Sequence, residues 1–164
     1  MTGPSGIPLN AASVGNKGIT LLEEAQTLEG TLHYPGVRDS YRKLLEHGIE
    51  LLTKALADPR ELHERTRLRK CLVDAHAARA EDARYGAGAL SRSAQRAPTL
   101  KDCEEGWLKV AGIVGNARAS ADAARCLANI VGGFRSQQLA ARAERAARSA
   151  EDTLTQRNRA YTFF

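Results

Sequence analysis

Residues 99–133, TLKDCEEGWLKVAGIVGNARASADAARCLANIVGG, decide the fold class. Thr99 follows Pro98 and precedes Asp102 by three positions. At that spacing a hydroxyl can accept an orphan N–H of a helix start while the acid favours the positive end of the helix. From there Leu100, Cys103, Trp107, Val110 or Ala111, Val114, Ala117, Ala121, Ala124, Ala128 and Val131 recur at intervals of three and four, up to Gly132-Gly133. That is the period of one face of an α-helix. Unbroken, the helix would be about 50 Å long at 1.5 Å per residue, with a kink near Gly112 to Asn116 allowed but not required.

The following stretch repeats the pattern from about Phe134 to Asn158, with Leu139, Ala143, Ala146, Ala150 and Leu154 as its seam. Alanine on both seams lets two backbones approach near the low end of the 8–10 Å interaxial range, so these helices should form a tight antiparallel hairpin. Burial per alanine is small. The larger apolar contribution must come from Leu, Ile, Val, Tyr and Trp elsewhere.

Working towards the N-terminus, Asp58-Pro59-Arg60-Glu61 reads as a helix start, with Asp58 as N-cap and Pro59 where its missing N–H costs nothing. The helix it opens runs through Leu62, Leu72, Val73, His76 and Ala80 and should fray or bend at Gly86 and Gly88. Before it, Val37, Tyr41, Leu44, Leu45, Gly48, Ile49, Leu52, Ala55 and Leu56 give an amphipathic helix after the turn Tyr34-Pro35-Gly36. Thr20-Leu-Leu-Glu23 has the capping-box spacing and predicts a short first helix ending near Gly30. Residues 1–19, with Gly3, Pro4, Gly6, Pro8 and Gly15, read as a flexible lead-in. The expected architecture is all-α, an antiparallel bundle of four long helices with a short extra N-terminal helix. Its domain spans 20–160, followed by an aromatic tail at 161–164.

Composition agrees. The 164 residues include 28 Ala and 18 Arg against 6 Lys, with only 5% aromatic content, which favours helices over sheets. No apolar run approaches the 18 to 20 residues of a membrane span, and no secretion signal is read at the N-terminus. Cys71, Cys103 and Cys126 are odd in number and widely spaced. The expectation is therefore a cytoplasmic protein whose cysteines act as small buried hydrophobes.

Three function classes remain. Helix faces seamed with alanine suit protein association. Trp107 and the tail residues Tyr161, Phe163 and Phe164 are candidate interaction residues, the tail either folding back or docking on a neighbour. A homo-oligomer is the expected partner state, with another protein as the alternative. The second class is nucleic-acid binding. Net charge is +5, distributed as −2 over 1–58, +4 over 59–98 and +3 over 99–164. The candidate basic face consists of Arg65, Arg67, Arg69 and Lys70 with Arg135, Arg142 and Arg145. Pairs such as Glu61 with Arg65 and Glu144 with Arg148 discharge part of it, and stacking aromatics are scarce on these faces.

An enzyme comes third. Arg42-Lys-Leu-Leu-Glu-His47, and Arg69 with His76 seven positions later, resemble the Arg and His motif of HEPN-type helical ribonucleases. The resemblance implies a histidine general base and an arginine stabilising phosphate charge. It covers a few residues, and Lys43 and Lys70 stand where that family has a polar residue after the Arg. With 18 Arg in the chain, four His yield about one such spacing by chance. No inward Glu-x-x-His pair, phosphate-binding glycine loop or nucleophile elbow occurs, so no catalytic residue, metal site or cofactor is assigned.

Overall fold

The computed structural model describes residues 11–58 and 64–162, with side chains for 14–58 and 64–159. Its helices are α1 (Ala11–Leu28), a 3₁₀ turn (Glu29–Thr31), α2 (Val37–Ala57), α3 (Arg65–Gln95), α4 (Leu100–Val131) and α5 (Phe134–Thr162). All regular structure among the described residues is helical, as the periodicity requires.

Two compact units share the chain, one ending at Ala75 and the other starting at His76. In the first, α1 and α2 form an antiparallel hairpin. Gly15 lies near Ala55, Gly18 near Gly48 and Leu52, and the Tyr41 hydroxyl donates to the Glu29 carboxylate at 3.4 Å. The connecting turn is the expected one. Gly36 takes φ +80, and the Val37 N–H donates to the Tyr34 carbonyl at 3.2 Å. Pro35 and Gly36 thus occupy the positions a type II turn favours. Ile19, Leu22, Ala25, Tyr41, Leu45, Ile49 and Leu52 form the buried face, and Leu68 of α3 reaches Gly15.

Helix α1 corrects the sequence reading. It is 18 residues long and begins at Ala11, nine positions before Thr20. Thr20 is inside it, its hydroxyl donating to the Asn16 carbonyl at 3.0 Å. Gly15, which reads as a turn residue, is buried in the helix together with Gly18. They are small because α2 and Leu68 lie against them.

Asp58 likewise closes α2 instead of opening α3. Its N–H donates to the Ala55 carbonyl at 3.2 Å, and its own carbonyl accepts from Arg65 at 3.3 Å. The start expected at Pro59 and Glu61 falls outside the described residues. Helix α3 then passes through Gly86 and Gly88 to Gln95 without the expected break.

In the second unit α4 starts as the sequence predicts. The Thr99 hydroxyl oxygen accepts the Asp102 N–H at 3.1 Å and donates to its carboxylate at 2.7 Å. The helix runs unbroken for 32 residues. Gly132 and Gly133, at φ +71 and +87, reverse the chain into α5, a conformation costly for a residue with a Cβ. The hairpin is antiparallel. Following α4 backwards from Ala128 to Arg118 to Trp107, its partners on α5 advance from Gln137 to Glu144 and Glu151 to Arg157.

The alanine seam is present, with Ala117, Ala121, Ala124 and Ala128 facing a row of Ala140, Ala143, Ala146, Ala147 and Ala150, all buried. Two details differ from the periodic reading, and a third decides between alternatives it left open. Leu100 is 69% exposed, since it occupies the first turn of the helix. Val110 and not Ala111 is the seam residue, and Ala140 is buried where Leu139 is only half-buried.

Candidate interaction surface

Opposite its buried seam, α4 turns a second apolar stripe outward. Leu108, Gly112, Gly115, Ala119, Ala123, Cys126 and Ile130 follow one another at steps of three and four, and all but Ala123 are exposed. Leu108 is 73% and Ile130 60% exposed, and Phe134 at the start of α5 is 79% exposed. The stripe is about 33 Å long. It carries no charge along its centre, and Asp122 at its border is taken up by Arg125 at 3.1 Å. A Cβ added at Gly112 or Gly115 would meet nothing within 4 Å, so these glycines leave a shallow floor with no neighbour to fill it.

Period alone does not announce this face, because its spacing repeats that of the buried seam on the other side of α4. The signal was nonetheless present. In a chain with 26% charged residues, every stripe position between Leu108 and Ile130 is uncharged at helical spacing.

On the α5 side, α4 is fixed by charge. Arg118 places its two terminal nitrogens against the carboxylates of Glu144 and Glu151, with Asp122 at 3.7 Å. The guanidinium holds the Glu144 carboxyl below the usual carboxylate range. Arg148 approaches Glu144 from the outside at 3.5 Å. Charge-assisted pairs in a part-buried setting exceed exposed ones in strength. Arg118→Gln is therefore expected to lower stability by about 1–2 kcal/mol, with less difference from the parent protein in 1 M salt. Urea unfolding at two ionic strengths measures both.

Trp107 is 4% exposed and is the floor of a small cleft of about 290 Å³. Arg157 stacks over its ring at 5.2 Å from the centroid. Ser91, Gln95, Cys103, Thr153 and Gln156 complete the lining. Tyr161 belongs to the last turn of α5, but its side chain, with Phe163 and Phe164, lies outside the described residues.

The basic residues singled out from the sequence fall in both units, Arg65, Arg67, Arg69 and Lys70 in the first and Arg135, Arg142 and Arg145 in the second. On α3, Arg65 is tied to the Asp58 carbonyl and is half-buried. Arg67 points elsewhere, meeting Glu64 at 3.2 Å and Asn16 at 3.5 Å. Arg69 is half-buried and Lys70 exposed. On α5, Arg142 pairs with Glu81 at 2.8 Å, whereas Arg135 and Arg145 are exposed.

Of the histidines, His47 is exposed on α2, and neighbouring Arg42 faces Asp39 at 3.6 Å. His76 is largely buried. Desolvation, with the Arg79 charge second, pushes its pKa down to about 4. Cys71 and Cys103 are half-buried and Cys126 is exposed, which corrects the expectation that all three are buried. Burial, with Asp74 second, raises the Cys71 thiol above its ordinary value. A raised pKa keeps it a poor nucleophile.

No protein-family model, curated protein or solved structure matches the chain. Among the described residues no helix is long and apolar enough to cross a membrane, and no three His, Cys, Asp or Glu side chains gather as a metal site would need.

Proposed function

We propose that this chain is a non-catalytic association protein that pairs with a second copy of itself through the outward face of α4. The observation that supports this reading is the uncharged stripe from Leu108 to Ile130. Exposing it to water costs apolar hydration that a second helix would remove. Gly112, Gly115 and Ala119 would let the partner axis approach near 8 Å, with Leu108 and Ile130 closing over the two ends.

Size sets the strength. A strip about 33 Å long and about 10 Å wide covers about 330 Å² per partner, under half of what a standard interface buries. The pair therefore belongs to the weak, concentration-dependent class. Sedimentation equilibrium between about 5 and 500 μM should show a monomer passing into a dimer. Leu108→Glu, on an exposed position, should keep the helical content and remain monomeric throughout. A parent protein that stays monomeric to the highest concentration, or a Leu108→Glu protein that dimerises equally well, overturns the reading.

A further inference from the structure

The connection between α3 and α4 forms a second cleft, larger than the one at Trp107 and on a different part of the unit. Its volume is about 670 Å³. Its walls are the last two turns of α3 from Ala89, the segment after it, residues 96–98, and one side of α4 down to Lys109. The two helices come together beneath it, where Gly106 faces Ala94 so closely that a Cβ on Gly106 would stand 2.8 Å from that of Ala94. The floor is thus built from small residues and the rim from charged ones.

Three cations line this cleft, Arg92, Arg96 and Lys109, and none of them forms an ion pair within 4 Å among the described residues. Two carboxylates share the lining, Asp102 and Glu105. Asp102 is committed locally, accepting from the Thr99 hydroxyl at 2.7 Å while that hydroxyl oxygen caps its N–H. Glu105 is the one carboxylate of the lining not so engaged. Elsewhere in the unit several arginines are matched to acids, Arg118 to Glu144 and Glu151, Arg125 to Asp122 and Arg142 to Glu81, whereas Arg145 stands alone on the surface of α5. The elbow is where cations converge on open space.

We propose that this cleft binds a phosphate-bearing anion, with Arg92, Arg96 and Lys109 as its ligands. The two guanidiniums offer forked donors that match phosphate oxygens, and the lysine adds a point charge from the opposite wall. Several like charges around one concavity favour a ligand carrying more than one negative charge, because a monovalent anion leaves most of that field uncompensated. A polyphosphate chain meets that requirement. On the outer face of α3, Tyr85 is 59% exposed with Arg84 5.7 Å from its ring centroid. It lies within about 20° of Arg92 around the helix and about 10 Å from it along the axis, so an aromatic group attached to the phosphates has a surface to stack on.

Isothermal titration of the full chain with inorganic tripolyphosphate at low salt tests the proposal. Saturable binding of one ligand per chain is expected. Affinity should fall at least tenfold in each of Arg92→Gln, Arg96→Gln and Lys109→Gln, and remain within twofold in Arg145→Gln, an exposed arginine away from the cleft. Circular dichroism confirms that the variants are folded. Competition by a short single-stranded oligonucleotide identifies a nucleic-acid backbone as a source of the phosphates, and its absence identifies a compact polyphosphate. Either result supports a phosphate site. No saturable binding, or binding unchanged in the cleft variants or equally lost in Arg145→Gln, overturns it. The outcome does not depend on whether the chain dimerises through α4.

Discussion

Gly48→Val is expected to disrupt the first unit, costing about 3 kcal/mol or more. A Cβ at Gly48 would stand 2.7 Å from Leu22 Cδ2, 2.9 Å from Leu22 Cγ and 3.2 Å from the Gly18 carbonyl oxygen. The first two contacts could relax by moving a side chain, but the third is backbone of the opposing helix. Over-packing of this kind costs about 1–3 kcal/mol for an added methyl, and a branched side chain adds to it. Gly48→Ala gains about 1 kcal/mol of helix propensity and is expected to lose about 1–2 kcal/mol net. Gly86→Ala is the control. Its Cβ would meet Ile113 only at 3.7 Å, an ordinary contact, so propensity should prevail and stability rise by about 0.5–1 kcal/mol. Hydrogen exchange of α1 and α2 amides reads the first two effects locally. Unchanged protection in Gly48→Val would refute the close approach of α1 and α2.

Acidification should destabilise the protein through His76. Its folded pKa of about 4 lies below the ordinary 6.5, so the native state holds the neutral ring and the unfolded chain takes up the proton first. Wherever the unfolded state binds more protons, stability rises with pH. The contribution of the neutral ring is therefore complete above about pH 6.5 and is lost as pH falls towards 4, to a total of about 3 kcal/mol. Nδ1 of the ring is buried with no hydrogen-bond partner among the described residues, which fits a ring kept uncharged by its surroundings. Urea unfolding between pH 7.5 and 4 should show that dependence in the parent protein and a flatter one in His76→Phe. Carboxylates titrate in both proteins and cancel in the comparison. An NMR titration placing His76 near 6.5 would contradict the prediction directly.

The fold was legible wherever a periodic face met a strong punctuation signal. Pro98-Thr99 with Asp102, Tyr34-Pro35-Gly36 and Gly132-Gly133 each mark a boundary that the structure keeps, since cap and turn chemistry is local. Helix α1 was misread because glycines such as Gly15 carry two meanings. Their missing Cβ can serve a turn or the approach of a second helix, and only α2 tells which. Asp58-Pro59 was ambiguous in the same way, as a residue that can close one helix or open the next. The division at Ala75 and His76 lies within α3 and has no Gly or Pro to announce it.

The surfaces were harder to read than the core. The outward stripe of α4 has the same spacing as its inner seam, and period alone does not say which of two opposite apolar faces is covered. The elbow cleft joins Arg92 of α3 and Arg96 just after it to Lys109 of α4 across a reversal of the chain, so the period of neither helix reveals it. Counting charge by segment hid it further, because paired and unpaired arginines weigh equally in a sum.

Arg118 reinforces the alignment of α4 and α5 that the alanine seam sets. Sliding α5 by four residues would keep alanine at two of the five buried places of its row, with Ser136, Leu139 and Arg142 entering in one direction and Glu144, Glu151 and Leu154 in the other, so the seam itself opposes a slip. A slip of four residues in one direction presents Ala140 and Ala147 to Arg118, and in the other Arg148 and Thr155, in place of Glu144 and Glu151. Neither alternative offers a carboxylate. The alignment of the hairpin is thus written twice, once in the small residues that let the helices close and once in an arginine that fits a single notch of the facing helix.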